Sequence, residues 1–305
     1  MKPMEVMGIS KRFGQTQALD NISFSIEEGE LFGLIGPDGA GKSTLFDVLV
    51  TLIQPDCGTA KIDGLDLIKD YKKIRHRIGY LPGRFSLYGQ LSCQENLEFF
   101  ARLYGESIKK NYRLIAPIWE QLIPFKSRKA AALSGGMKQK LALCCALIHK
   151  PKILFLDEPT TGVDPVSRRE LWEILTLLKA ENISVFVSTS YMEEATLCSR
   201  VGLIQSGKLL GSNTPQQVQN NFKGVILAVY TDAIYQLLQN LDDFKDAQDF
   251  YAAGQHVNIV LKNLSFEQSL RSYLEKIPVE IKYTEHIKPS IEDCFIQLMK
   301  IKDDE

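Results

Sequence analysis

Little in this sequence is in excess. Its 36 lysines and arginines nearly match its 37 acidic residues, for a net charge of −1. That balance argues against a surface built to hold nucleic-acid phosphates or anionic lipid. Short basic runs, such as Lys72-Lys73 with Arg75 and Arg77, are broken by apolar residues and read as the solvated face of a helix. There are only six cysteines: Cys57, Cys93, Cys144, Cys145, Cys198 and Cys294. Only Cys144 and Cys145 are close, and adjacent residues of a helix point to different faces. A disulfide framework and a cysteine metal site are both excluded. The six are expected as small core residues of a reducing compartment. No apolar run reaches the roughly 18 to 20 residues of a bilayer span. The opening stretch MKPMEVMGISKRFG lacks the apolar centre of a signal peptide. The expected place is the cytosol, with any membrane role supplied through a partner. There is no internal repeat and no low-complexity linker.

What is present is patterned. The chain has 305 residues, 45% of them hydrophobic, enough for one large or two smaller domains with full cores. VMGISKRF and ALDNISFSIEEGE alternate apolar and polar residues and predict antiparallel strands joined as a hairpin. LFGLIG, a glycine-rich stretch and KSTLFDVLVTLI predict strand, loop and helix. Helical pattern runs from about 92 to 124, and a further helix starts at Gly136. ILFLD is apolar throughout, as a strand covered on both faces is. A helix over 167–180, the strand ISVFVS, another helix and the strands RVGLIQ and GKLLG follow. This βαβ rhythm implies a parallel sheet covered by helices. After about Gln216 the rhythm changes. ILAVYT, DFYAAG, HVNIVLK and VEIKYTE read as strands, with helices near 233–241 and 265–276, then SIEDCFIQLMKI after Pro289. The order is βαββαβ, a small α+β unit. The tail KDDE is expected to be disordered.

Three stretches carry chemistry. Gly36-Pro37-Asp38-Gly39-Ala40-Gly41-Lys42-Ser43-Thr44 matches the phosphate-binding loop. Its glycines let backbone N–H groups turn inward around an anion, and the helix beginning at Lys42 adds its positive end. Lys42 is a point charge for the β- and γ-phosphates of ATP, and Ser43 can ligate Mg²⁺. A chance glycine-rich turn would not sit between a buried strand and a helix. Asp157 and Glu158 end the strand ILFLD. Asp157 would hold Mg²⁺ through water, and Glu158 could polarise an attacking water. Leu133-Ser134-Gly135-Gly136-Met137-Lys138-Gln139 places a serine and two glycines at a helix N-terminus, a second anion site. A simple helix cap needs only the serine, and one nucleotide does not need two phosphate cradles in one chain.

Residues 1–216 resemble the nucleotide-binding domain of ATP-binding cassette (ABC) transporters, in which these motifs occur in this order. The resemblance implies an α/β P-loop cassette with a parallel-sheet core, an antiparallel β subdomain and a helical signature subdomain at about 84–132. Residues 217–305 would be a small C-terminal α+β accessory domain. It implies two cassettes bound head to tail, with the LSGG helix of each (Ser134, Gly135, Gly136, Gln139) facing the phosphate loop of the other. Phe13 would stack on adenine, and Asp164 would be the dimer-contact aspartate. The implied partners are a second cassette, heteromeric or an identical copy, and integral membrane permease subunits. The implied place is the inner face of the plasma membrane. The PSIEDCFIQL segment resembles the extension of bacterial drug-exporter and antibiotic-resistance cassettes. The whole also resembles one half of fused two-cassette efflux ATPases.

The family pattern is broken at three places. Gly83, in GYLPGRF, stands where the family has a glutamine that senses Mg²⁺; Gln90 and Gln94 lie outside that motif. Ser190, in VSTSYMEEA, stands where the family has a switch histidine, and no histidine occurs between His149 and His256. Asp38 replaces the usual asparagine. A serine hydroxyl donates one hydrogen bond but never becomes an imidazolium. Such losses lower rates by about 10²–10⁴-fold. The expectation is an ATPase whose own site is impaired. The alternatives are a regulatory subunit that does not turn over and a soluble ABC protein of translation or repair. The last is disfavoured by the single cassette and by the 92 positions between Lys42 and Ser134, too few for a long coiled-coil insertion.

Overall fold

The computed structural model describes residues 2–303. Strands β1 (Met4–Phe13) and β2 (Thr16–Ile26) pair as an antiparallel hairpin. Buried and exposed residues mix along both, as in a sheet covered on one face. In β3 (Leu31–Ile35) all five residues are buried. It feeds the glycine-rich loop and helix α1 (Lys42–Leu49). β4 (Cys57–Ile62) and the short β5 (Leu65–Asp66) return to the hairpin, giving the order β2-β1-β4-β5. α2 (Tyr71–Arg77) carries the basic run and buries only Ile74.

After β6 (Ile78–Leu81) the chain builds a helical layer from α3 (Cys93–Leu103), α4 (Tyr112–Leu122) and α5 (Gly135–Leu147). α3 opens on a capping box: Ser92 Oγ accepts from the Glu95 N–H, and the Glu95 carboxylate accepts from the Ser92 N–H. α4 buries Leu114, Ile115, Ile118, Trp119 and Leu122, one apolar stripe, and both α3 and α4 pack on α5.

β7 (Ile153–Asp157), α6 (Pro165–Ala180), β8 (Ser184–Thr189), β9 (Arg200–Gln205) and β10 (Lys208–Asn213) complete this part. The sheet order is β10-β9-β3-β8-β7-β6, with β10 antiparallel at one edge and the other pairs parallel. Parallel registers set Ile35 opposite Thr189 and Asp157 opposite Ser188. The loops leaving β3, β7 and β8 therefore share one end of the sheet, where ligands of open α/β sheets bind. α1 is held there by aromatic packing. Phe46 stacks on Phe186 at 4.5 Å and meets Phe155 edge-on at 5.9 Å. Truncating such a buried ring costs about 3–5 kcal/mol.

The chain divides into two compact units, Met1–Pro215 and Gln216–Glu305. After α7 (Pro215–Asn220) come β11 (Val225–Tyr230), α8 (Ile234–Leu241), β12 (Ala247–Ala253), β13 (His256–Leu261), α9 (Glu267–Leu274), β14 (Tyr283–Ile287) and α10 (Ile291–Asp303). The sheet of this second unit, order β12-β13-β11-β14, is antiparallel throughout. Leu227, Val229, Val257, Ile259, Leu237 and Leu270 lie in its own core. α10 is anchored through Asp293, whose Oδ2 accepts from the Ser290 N–H and whose Oδ1 accepts from Tyr251 and Asn258.

The molecule is an α/β cassette as expected, and it departs from the sequence reading in four details. The strand expected over VEIKYTE is shifted to Tyr283–Ile287, because Thr231 Oγ1 binds the Glu280 carbonyl and Val279 goes into the core. The helix expected after β8 is a 3₁₀ turn, Met192–Leu197. Cys57, expected as a core residue, is exposed at the start of β4, while the other five cysteines are buried. Of the expected disordered tail, Lys302 and Asp303 continue α10, and residues 304–305 lie outside the described residues. Among the described residues no helix is long and apolar enough to cross a membrane.

Candidate nucleotide-binding site

The glycine-rich loop leaves β3 with the Gly36 N–H bonded to the Thr189 carbonyl. Gly41 has φ +105°, and a Cβ there would lie 2.5 Å from the Ala18 carbonyl oxygen, so only glycine fits. No side chain caps α1. Its first N–H groups are left for an anion. Lys42, only 3% exposed, donates from Nζ to the carbonyls of Gly36 (2.8 Å) and Pro37 (2.9 Å). Its third partner is Glu158 Oε1 at 3.1 Å. Asp38 Oδ1 lies 3.8 Å from the same nitrogen, on a side chain that is otherwise exposed.

Glu158 follows β7 with φ +48°, a conformation unusual for a residue with a side chain. It is pinned there because its N–H donates to Ser188 Oγ at 2.9 Å. The same hydroxyl donates to Asp157 Oδ1 at 2.6 Å, so Ser188 fixes the Asp157 carboxylate and the Glu158 backbone together. Asp47, one turn beyond Ser43 on α1, also faces this end of the sheet. Burial, and then the charge of Asp157, hold its carboxyl above the usual carboxylate range. The Asp157 carboxylate and the Ser43 hydroxyl are hard-oxygen donors of the kind that would hold Mg²⁺, with phosphate oxygens completing the shell.

The LSGG stretch is built differently. Ser134 caps α5, its Oγ accepting from the Met137 N–H at 3.4 Å. A Cβ on Gly136 would lie 2.5 Å from Ser167 Oγ, so the helix start is wedged against the start of α6. Asp164 caps α6, accepting from the N–H groups of Val166 (3.1 Å) and Ser167 (3.0 Å). Those N–H groups, Ser167 foremost, hold its carboxyl below the usual range. Gln139 is half-buried on α5, and Phe13 is half-exposed at the end of β1 with Lys11 Nζ 5.6 Å from its ring centre. The fold thus brings loop 36–44 to Asp157 and Glu158, and brings Ser134–Gly136 to Asp164. Among the described residues no hydrogen bond or ion pair joins Ser134–Gln139 to the loop 36–44.

The family model for ABC transporters matches residues 19–161. The chain is 37% identical over 304 residues to the Nod factor export ATP-binding protein I of Burkholderia lata, covering 97% of this chain and 96% of that protein. This chain belongs to the ABC transporter family. It is 42% identical over 218 residues to the probable multidrug ABC transporter ATP-binding protein YbhF of Escherichia coli K12, which is 71% of this chain and 38% of that relative's length. Similarity to the doxorubicin resistance ATP-binding protein DrrA of Mycobacterium tuberculosis is 36% over 220 residues, 70% of this chain and 66% of the relative. Among solved structures, an ATP-binding subunit of an ABC transporter superposes with TM-score 0.66 at 29% identity, over 72% of this chain and 92% of that one. A dimeric ATP-binding cassette holding ADP and Pi after hydrolysis superposes with TM-score 0.63 at 26% identity, over 69% and 98%.

Of the three departures from the ABC pattern, Asp38 lies near Lys42 as described above, Gly83 lies against Asp157, and Ser190 follows the last residue of β8. Gly83 lies against Asp157: a Cβ there would be 3.2 Å from the Asp157 carbonyl oxygen and 3.8 Å from Oδ2. Ser190 leaves the end of β8, next to the Thr189 that binds Gly36. Its neighbour Tyr191 is fixed by its N–H to Thr189 Oγ1 (3.0 Å) and by the Arg168 guanidinium, 4.0 Å from its ring centre. Sequence reasoning missed Asp47, Ser188, Thr160 and Glu194. Asp47 alone left a signal, its spacing of four from Ser43 on a helix.

Proposed function

We propose that this chain is the ATP-binding and ATP-hydrolysing subunit of an ABC exporter, paired head to tail with a second cassette and seated on permease subunits at the cytoplasmic face. The observation that carries the reading is the division of labour in one chain. Lys42, Asp157 and Glu158 converge on a phosphate loop, while the LSGG helix is presented away from it. Each site then needs the partner's signature stretch. Export rests on what the relatives are named for.

Lys42 exchanges its two carbonyl partners for β- and γ-phosphate oxygens when ATP binds. Glu158, freed from Lys42, accepts a proton from the water that attacks the γ-phosphorus as the bond to ADP breaks. Ser188 keeps Asp157 and the Glu158 backbone in register during that step. Mg²⁺, held by Ser43 and Asp157, would neutralise charge on the phosphates. Gly83 offers no side-chain amide to the metal site, and Ser190 offers a hydroxyl but no cation to the γ-phosphate. Turnover at this site is accordingly slow, and the favoured partner is a different cassette with both groups intact. A groove of about 310 Å³ between the sheet and the helical layer, lined by Leu52, Tyr80, Leu87, Phe100 and Tyr104, supports docking of a helix from a permease subunit.

The test is phosphate release from Mg-ATP by the purified chain, alone and with a candidate partner cassette. Slow release alone and faster release in the pair is expected. ATP bound without release in either case establishes instead the regulatory subunit that Gly83 and Ser190 also favour.

A further inference from the structure

Glu194 is 2% exposed and belongs to none of the nucleotide-contacting stretches. Its Oε2 nevertheless accepts two hydroxyl protons from two different parts of the site. Thr189 Oγ1, at the end of β8, donates at 2.6 Å. Thr160 Oγ1, two residues beyond Glu158, donates at 3.1 Å. Thr189 Oγ1 in turn accepts from the Tyr191 N–H, so Ser190 is bracketed by a chain of bonds that ends on Glu194. The carbonyl of Thr189 holds the first residue of the phosphate loop. Thr160 opens the turn that leads to Asp164 and α6.

A purely structural ion pair is the plainer reading, because Arg168 Nε lies 3.7 Å from Glu194 Oε1. That pair is not closed: neither Arg168 Nε nor Glu194 Oε1 has a hydrogen-bond partner among the described residues. Arg168 spends its guanidinium on Glu193 and the Tyr191 ring instead. A buried carboxylate that makes no good ion pair is poorly explained by stability, since apolar residues fill such a space as well or better. Its two hydroxyl bonds, the Thr189 one short at 2.6 Å and the Thr160 one longer at 3.1 Å, join segments that are separate in sequence. A bridge of this kind fixes the distance between them.

We infer that Glu194 is a positioning residue that ties the Ser190 segment to the turn 160–164, so that nucleotide held at the phosphate loop orders that turn and, through Asp164, the face offered to the partner cassette. The inference rests on the ATP-binding reading above. A serine at 190 makes the bridge matter more, because one hydroxyl has a shorter reach than an imidazole and tolerates less displacement.

The experiment is hydrogen exchange by mass spectrometry on the full chain, with and without Mg-ATP, alongside ATP affinity and turnover. In the parent chain ATP should slow exchange in both 36–44 and 160–168. Glu194→Ala should keep the first protection and an ATP affinity within about twofold, lose the second, and lower kcat by about tenfold to a hundredfold. Glu194→Gln, whose carbonyl can accept both hydroxyl protons, should restore most of both. Should Glu194→Ala fold poorly, the double variant Thr160→Val, Thr189→Val removes the same bridge while leaving the carboxylate, and should act like it. Unchanged protection of 160–168 in the broken variants overturns the inference, as does its absence in the parent chain when 36–44 is protected. Absence of protection at 36–44 overturns the ATP-binding reading itself, and the inference with it.

Discussion

Lys42 Nζ lies 3.1 Å from Glu158 Oε1, so the cation assigned above to phosphate is paired with the carboxylate assigned to water. ATP binding has to break that pair. The replacement is favourable because the ammonium gains phosphate oxygens carrying more charge than one carboxylate. Lys42→Ala should abolish ATP binding, since the phosphate charge is then left uncompensated beside Asp38 and Glu158. Calorimetric titration with Mg-ATP checks this. Equal affinity in the variant would remove the phosphate-binding assignment of residues 36–44.

Returning the family residues should speed the self-paired enzyme, and the two positions should respond differently. Ser190→His adds a cationic donor at the free end of β8 and should raise phosphate release by at least about tenfold. Gly83→Gln must fit a Cβ 3.2 Å from the Asp157 carbonyl, so the loop has to give by a few tenths of an ångström. It should gain less alone than with Ser190→His. Rates for the two single variants and the double variant, measured at saturating Mg-ATP, decide whether these residues limit turnover.

The two compact units each have a buried cluster of their own. A chain ending at about residue 220 should therefore remain folded and bind ATP within about twofold of the full chain, while its urea m-value falls with the surface removed. Far-UV circular dichroism and nucleotide titration check this. An insoluble product would mean that the units fold as one.

Much of this was legible in the sequence for a physical reason. The phosphate loop, the acidic end of β7 and the capped LSGG helix are local backbone devices, each complete within about ten residues. The bridge Thr160–Glu194–Thr189 is not local: its carboxylate is brought to Thr160 by the parallel register of β7 and β8, which no pattern of apolar residues states. Ser188 reads in the sequence as one more residue of a buried strand, and only its register opposite Asp157 shows that it fixes that carboxylate and the Glu158 backbone. Asp164 was expected at a dimer contact and here caps α6, a role that its place before Pro165 also announces. The slipped β14 shows the converse limit, since VEIKYTE has a strand pattern but a threonine hydroxyl from β11's end takes the carbonyl of Glu280.

His149 stacks on Tyr104 with ring centres 3.8 Å apart and Nε2 2.9 Å from the Ile78 carbonyl. Burial chiefly, with the charge of His76 adding to it, holds its pKa below the ordinary value of 6.5, against the opposing pull of the Ile78 carbonyl and Glu106. With the folded pKa depressed, protonation favours the unfolded chain. The neutral ring's contribution is complete above about pH 6.5 and is lost as pH falls below it. The melting temperature should drop more between pH 7.5 and 5.5 for the parent chain than for His149→Gln. Parallel slopes in calorimetry would show that this ring does not titrate on unfolding.

On the proposed head-to-tail pairing, the two composite sites of a mixed pair should be unequal, because this chain would offer its partner an intact LSGG helix while keeping Gly83 and Ser190 at its own site. Ser134→Arg should be severe. It removes the cap of α5 and places a bulky cation where backbone N–H groups must approach the partner's γ-phosphate. Glu158→Gln should be mild in the same pair. The site it disables contributes little hydrolysis, and loss of the carboxylate also releases Lys42, which should tighten ATP binding here. Phosphate release from pairs carrying each variant in turn separates the two effects. If Glu158→Gln stops turnover as fully as Ser134→Arg, both sites work equally, and Gly83 and Ser190 are merely another way of contacting the same phosphates.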